Sequence, residues 1–163
     1  MEPRELVSQL YLEAREDVYR YLLTLGVTAA QAQELTQDAF LRLYQSAGTT
    51  TIREPRAWLF RVAHNLGLNA RARERSAAPL DETLLAVLHD RTRGPEAELI
   101  ENQRNLRVAR AVADLSPQQK QVLELRIAGL RFREIAETLG IGTSTVSEFL
   151  DRALRRLKKA ADE

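Results

Sequence analysis

The chain has no cysteine at all, two histidines, one tryptophan, seven glycines and five prolines in 163 residues. Without cysteine there is no disulfide, no thiol nucleophile and no thiolate metal site. His64 and His89 are too few for a familiar zinc set, and neither has a second ligand at helical spacing, so no metal and no cofactor is expected. The few glycines and prolines stand at punctuation points rather than in tracts, which leaves long uninterrupted stretches for helix. No window approaches the ~20 apolar residues that span a bilayer, and the N-terminus MEPRELVSQL lacks a leader's apolar run. A cytoplasmic protein with no membrane insertion is the expectation. Charge of one sign is lacking too: 24 basic against 23 acidic side chains leave a net charge of +1. Any affinity for nucleic acid must therefore come from local patches.

What is present is helical periodicity. Leu6, Leu10, Tyr11, Val18, Tyr21, Leu22 and Leu25 repeat at helical spacing from Glu5 to a stop at Gly26. Thr28 with Gln31 forms a capping-box signature for a second helix, with Ala32, Leu35, Ala39, Phe40, Leu43 and Tyr44 inward and Gly48 at its end. Residues 48–54 are polar and β-branched and read as a loop. Pro55 then opens a third helix through Arg75, with Trp58, Leu59, Val62, Ala63, Leu66 and Ala70 inside. The stretch 76–95 changes composition and reads as a linker, and helix resumes from Glu96 to Asp114. Ser116, Pro117 and Gln119 start another helix, carrying Val122, Leu123 and Ile127 on its inner side and broken at Gly129.

The most informative stretch follows, Phe132 to Lys159. Ile135, Ala136 and Leu139 make one short apolar face, Gly140 suits a left-handed helix stop, and Ile141 plugs the corner. Thr143 or Ser144 is the expected cap of a last helix, whose apolar face is Val146, Phe149, Leu150, Ala153 and Leu157. Two helices at this spacing are a helix-turn-helix, which lays the start of its second helix in a DNA major groove. An ordinary αα-hairpin carries the same apolar pattern. The predicted fold is all-α: two small helical domains, residues 1–75 and 96–163, joined by a linker at 76–95, the second with the helix-turn-helix.

A second candidate surface follows the polar loop, where Trp58 and several arginines lie near Asn65 and Asn69, four apart on one helical face. Aromatic stacking with cationic neighbours suits an unpaired strand. A lone tryptophan at helical spacing is also a common core residue. No Gly-rich phosphate loop, nucleophile elbow, HExxH pair or EF-hand loop is present, so nothing points to an enzyme.

Taken together, Glu34 to Tyr44, Pro55 to Arg75 and Leu115 to Val146 resemble, in order and spacing, an RNA polymerase sigma factor of the extracytoplasmic-function type in the sigma-70 family. The resemblance implies a promoter-specific initiation factor. Glu34, Gln37, Asp38, Leu41 and Arg42 would dock on core RNA polymerase. Loop residues Ser46 to Glu54 would form a pocket for a flipped base of the −10 element, with Asn65 and Asn69 lining it, Trp58 and Arg61 near the melted strand, and Arg71 and Arg75 as further −10 contacts. Arg133, Ser144, Thr145, Ser147, Glu148, Asp151 and Arg152 would meet the −35 element. Core polymerase and promoter DNA are the implied partners, with an anti-sigma factor as an open third. Where the family's recognition helix is basic, this chain carries Glu148 and Asp151 between Thr145 and Leu154. Those carboxylates can accept from cytosine N4 but also repel phosphates. The competing readings are a helix-turn-helix regulator that binds an operator alone, and a polymerase-interaction module without DNA readout.

Overall fold

The computed structural model describes residues 2–74 and 95–163, and among these it is wholly helical. Three helices, α1 (Pro3–Leu23), α2 (Ala29–Ala47) and α3 (Pro55–Arg73), form a first set. Four more, α4 (Pro95–Ala113), α5 (Pro117–Ile127), α6 (Phe132–Leu139) and α7 (Thr143–Asp162), form a second. Arg75, His89 and the linker expected at 76–95 fall outside the described residues, apart from Pro95 at the start of α4.

Local chemistry sets most of the boundaries. Both predicted capping boxes are closed in both directions: Thr28 with Gln31 at the start of α2, and Ser116 with Gln119 at the start of α5. Each satisfies two backbone donors that would otherwise be orphaned at a helix start. α2 ends where the hydroxyls of Thr49 and Thr50 both donate to the carbonyl of Ser46, and its cap Gly48 keeps an ordinary right-handed φ of −75°. Gly140 does need its freedom, at φ 69° and ψ 34°. The Ile141 amide then reaches back to the Ala136 carbonyl at 3.1 Å, a six-to-one closure that stops α6 within two residues. The expected cap of α7 is displaced: Gly142 holds that position with no side-chain hydrogen bond, and Thr143 is already helical.

In the first set, α2 packs along α1 and α3 crosses both. Tyr11 meets the Phe40 ring edge-on at 5.0 Å between centroids, and Tyr21 meets Phe60 at 6.0 Å. The Tyr21 hydroxyl finds the His64 Nδ1 at 2.7 Å, so the buried phenol keeps a polar partner. In the second set, α7 is the central helix, with α4, α5 and α6 packed around Val146, Leu150 and Ala153. Phe149 and Leu157 pack at the edge of this core. Two expected inner residues are turned out instead, Ile127 at 55% exposure and Tyr44 at 48%. Both lie in the last turns of their helices, where few neighbours remain to cover a side chain.

One apolar cluster runs through both sets without a break. The sets meet where α1 packs on α5 and α3 on α6. Among the described residues no helix is long and apolar enough to cross a membrane.

Candidate nucleic-acid interface

The loop after α2 folds back against the start of α3. Thr50, Thr51, Ile52, Arg53 and Glu54 on one side, with Trp58 and Arg61 on the other, enclose an open cleft of about 280 Å³. Pro55 places the turn, since its fixed φ suits the first helical position and it needs no partner for a missing N–H. Trp58 is half-buried: Ile52 and Trp58 both pack on the apolar core, so the indole serves as a wall of the cleft as well as a core residue. Arg61 is 44% exposed at the rim. The cleft is therefore a small hydroxyl-rich recess with one aromatic wall and cations at its edge, suited to a planar polar ring beside a phosphate.

Asn65 and Asn69 do not line this cleft. They are exposed on the same side of α3, one and two turns beyond Arg61, or about 6 Å further for each turn. A nucleic acid strand leaving the recess along α3 would pass both amides. Arg71 is on a different face: its guanidinium donates to the carbonyl of Gly26 at 3.4 Å, against the turn after α1. That contact uses the cation to support the junction of α1 and α2, so the structure does not bring Arg71 to the asparagines.

On α7, Ser144, Ser147, Glu148, Asp151 and Arg152 are exposed on one face of the first half of the helix, with Thr145 half-buried beside them. Arg133 of α6 is 76% exposed. The two unexpected carboxylates are not bare. Glu148 pairs with Arg152, and Asp151 with Arg155 at 3.0 Å, each one helical turn on. The face therefore presents two acid–base pairs in place of a basic stripe. Its charge is near neutral locally, which lowers the repulsion of phosphates that two free carboxylates would exert.

The outer face of α2 is the third surface. Glu34, Gln37, Leu41 and Arg42 are exposed and Asp38 is partly so, with Arg42 Nε 3.2 Å from Asp38 Oδ1. Leu41 at 54% and Tyr44 at 48% exposure add an apolar centre left open among the described residues. Sequence reasoning had not assigned Tyr44 here, because the aromatic fits the inner periodicity of α2 equally well.

Residues 10–77 match the model of the Sigma-70 region 2 family, and residues 105–157 that of Sigma-70, region 4. The ECF RNA polymerase sigma factor SigL of Mycobacterium tuberculosis is 32% identical over 161 residues, covering 97% of this chain and 90% of SigL. The sigma factor BldN of Streptomyces coelicolor is 30% identical over 155 residues; the chain spans 59% of BldN's length. Among solved structures, the sigma factor RpoE from Bartonella quintana, in complex with the anti-sigma factor NepR, superposes with a TM-score of 0.60 at 16% identity, over 95% of this chain and 96% of that one. CnrH, in complex with the cytosolic domain of CnrY, gives 0.57 at 20% identity, over 98% and 89%. With both regions in order and near-complete coverage of SigL at this identity, the chain belongs to the extracytoplasmic-function family of RNA polymerase sigma factors.

Proposed function

We propose that the chain is a dissociable initiation factor in which residues 1–75 and 96–163 work as two DNA-reading domains tethered by 76–95. The outer face of α2, from Glu34 to Arg42 with Leu41 and Tyr44 at its centre, docks on core RNA polymerase. The loop cleft takes one unstacked base of the −10 strand, Trp58 and Arg61 hold its neighbour and phosphate, and Asn65 and Asn69 contact the strand beyond. Extruding a base costs a few kcal/mol, so a cleft that rewards only a fitting base selects sequence while it keeps the strands apart. The α7 face reads the −35 element, with Arg152 suited to guanine and Glu148 or Asp151 to cytosine N4.

The observation that carries this reading is the cleft itself: a polar loop, an aromatic wall and a rim arginine brought together at the start of α3. The chemistry of RNA synthesis stays with the polymerase, and the factor acts in the cytoplasm without a cofactor. An anti-sigma factor is a further expected partner, as for the solved relative RpoE, whose structure contains the anti-sigma factor NepR. With a net charge of +1, the free chain binds duplex DNA weakly, since few phosphates are neutralised until the holoenzyme presents both domains together.

The test is capture of the purified chain by bacterial core RNA polymerase, followed by run-off transcription from a random promoter library. Capture with promoter-selective transcripts is expected. Capture without selectivity would reduce the chain to a polymerase-interaction module. No capture, with duplex operator bound by the free chain, would make it a stand-alone regulator.

A further inference from the structure

The arginines around α7 are put to two different uses. Arg156 donates to the Asp114 carbonyl at 3.2 Å, and Arg107 of α4 donates to the Ala160 carbonyl at 3.0 Å, so both fasten α4 to α7. Arg152 and Arg155 lie on the other side of the helix. Buried Val146, Leu150 and Ala153 define the inner side. At 3.6 residues per turn, Glu148, Asp151, Arg152 and Arg155 fall within about 100° of one another, opposite that core. All four are more than half exposed.

The order within each pair gives the arginines a direction. The acid comes first in both, Glu148 one turn before Arg152 and Asp151 one turn before Arg155, with Asp151 Oδ2 3.0 Å from Arg155 Nη2. Long side chains on a helix lean toward its N-terminus, and here each carboxylate holds the guanidinium in that lean. The N-terminal half of a recognition helix is the half that meets base edges, and its far end meets the backbone. Arg155 starts about 18 Å along α7 from Thr143, well toward that far end. Drawn back one turn, its guanidinium stands level with Asp151, about 12 Å along. Arg152, drawn back to Glu148, stands about 4.5 Å before it, near the 3.4 Å rise of one base pair.

The partner also decides what such an arginine is good for. A carboxylate beside a phosphate-binding cation repels the phosphate, so the pair is a poor backbone contact. Beside a base-reading arginine the same carboxylate fixes the fork without that conflict, and the donors it leaves unused match guanine O6 and N7. We propose that Arg155 is a further −35 reading residue, directed at a guanine in the major groove, and that Asp151 is the positioning residue that holds its guanidinium there. The inference rests on the −35 reading proposed above. The acid–base pairs of α7 thus give up attraction to phosphates and gain a fixed direction for the arginines.

The test is run-off transcription by core polymerase reconstituted with the full chain, from a library randomised across the −35 element. The wild-type chain is expected to select guanine there. Arg155→Lys keeps the charge and loses the fork, whereas Asp151→Asn keeps the shape and loses the charge. Both are expected to relax the preference at the same single position, roughly tenfold, the scale of one bidentate base contact. In an Arg155→Ala background, Asp151→Asn is expected to change nothing further at that position. Both sites are exposed, and thermal unfolding checks that the variants stay folded. Guanine preference that survives Arg155→Lys and Arg155→Ala removes Arg155 from the reading face. Preference untouched by Asp151→Asn, or lost further by it in the Arg155→Ala background, overturns the positioning role; the second result would make the carboxylate a reader in its own right. A wild-type holoenzyme that selects at the −10 element and at no −35 position overturns the inference alone. One that makes no promoter-selective transcript at all fails the promoter reading, and this inference with it.

Discussion

Replacing Gly140 with alanine isolates a single physical quantity at the helix-turn-helix corner. Gly140 sits at φ 69°, and a Cβ added there would meet no atom within 4 Å. Steric conflict with the rest of the fold is thus removed from consideration, and what remains is the backbone. A left-handed conformation costs an L-residue roughly 1–2 kcal/mol. Alanine returns about 0.4–1 kcal/mol by narrowing the unfolded ensemble. The net loss is about 1 kcal/mol, which in a chain of this size lowers Tm by about 2–4 °C. Gly140→Asn, whose side chain tolerates the left-handed region, is expected to fall between wild type and alanine. Urea and thermal unfolding followed by far-ultraviolet circular dichroism give the magnitude, and amide exchange at Ile141 gives the location, because its 3.1 Å bond to Ala136 closes the turn. An alanine variant as stable as wild type, or asparagine costing more than alanine, would refute the assignment of this corner to positive φ.

Three further outcomes are expected. Gly67 lies where α3 crosses the end of α1, and a Cβ there would come within 2.5 Å of Leu25 Cδ1 and 3.0 Å of Leu22 Cδ2. Gly67→Ala therefore sets a helix-propensity gain of about 1 kcal/mol against ~1–3 kcal/mol of overpacking, and a net stabilisation in thermal unfolding would show that the leucines yield freely. Burial holds the His64 imidazole below its ordinary value of 6.5, so its neutral form is favoured in the folded state. The stability this contributes is fully present above 6.5 and is lost as pH falls through the lowered folded-state value. A nuclear magnetic resonance titration placing His64 at or above 6.5, or a stability that does not decline in that window, would contradict it. Finally, Asn69→Ala should relax promoter choice in run-off transcription while leaving capture by core polymerase intact; unchanged choice would remove Asn69 from the interface.

What the sequence determined by itself is whatever is decided within about one helical turn. Thr28 with Gln31 and Ser116 with Gln119 cap their helices because donor and acceptor are three residues apart, and Pro55 and Gly140 act through their own φ. The family was legible for a related reason: its motifs are contiguous stretches whose order survives in the chain. Where two local signals competed, the reading slipped. Thr143 and Ser144 look like caps, yet Gly142 takes the cap in an ordinary extended conformation, with Thr143 already inside α7. The periodicity of α2 and α5 likewise placed Tyr44 and Ile127 inward, although exposure near a helix end depends on how far its neighbours extend. Only the tertiary structure decided the rest. Arg61 and Glu137 are 76 residues apart and Arg56 and Ala128 are 72 apart, and nothing local to any of them marks the other. The same holds for Arg71, drawn to the Gly26 carbonyl and away from Asn65 and Asn69, and for Arg20 and Glu124, ordinary helix residues until α1 and α5 bury them together. Backbone and capping forces act over a few residues and are written in the local sequence, whereas partners brought together by packing two helix sets exist only once those sets have met.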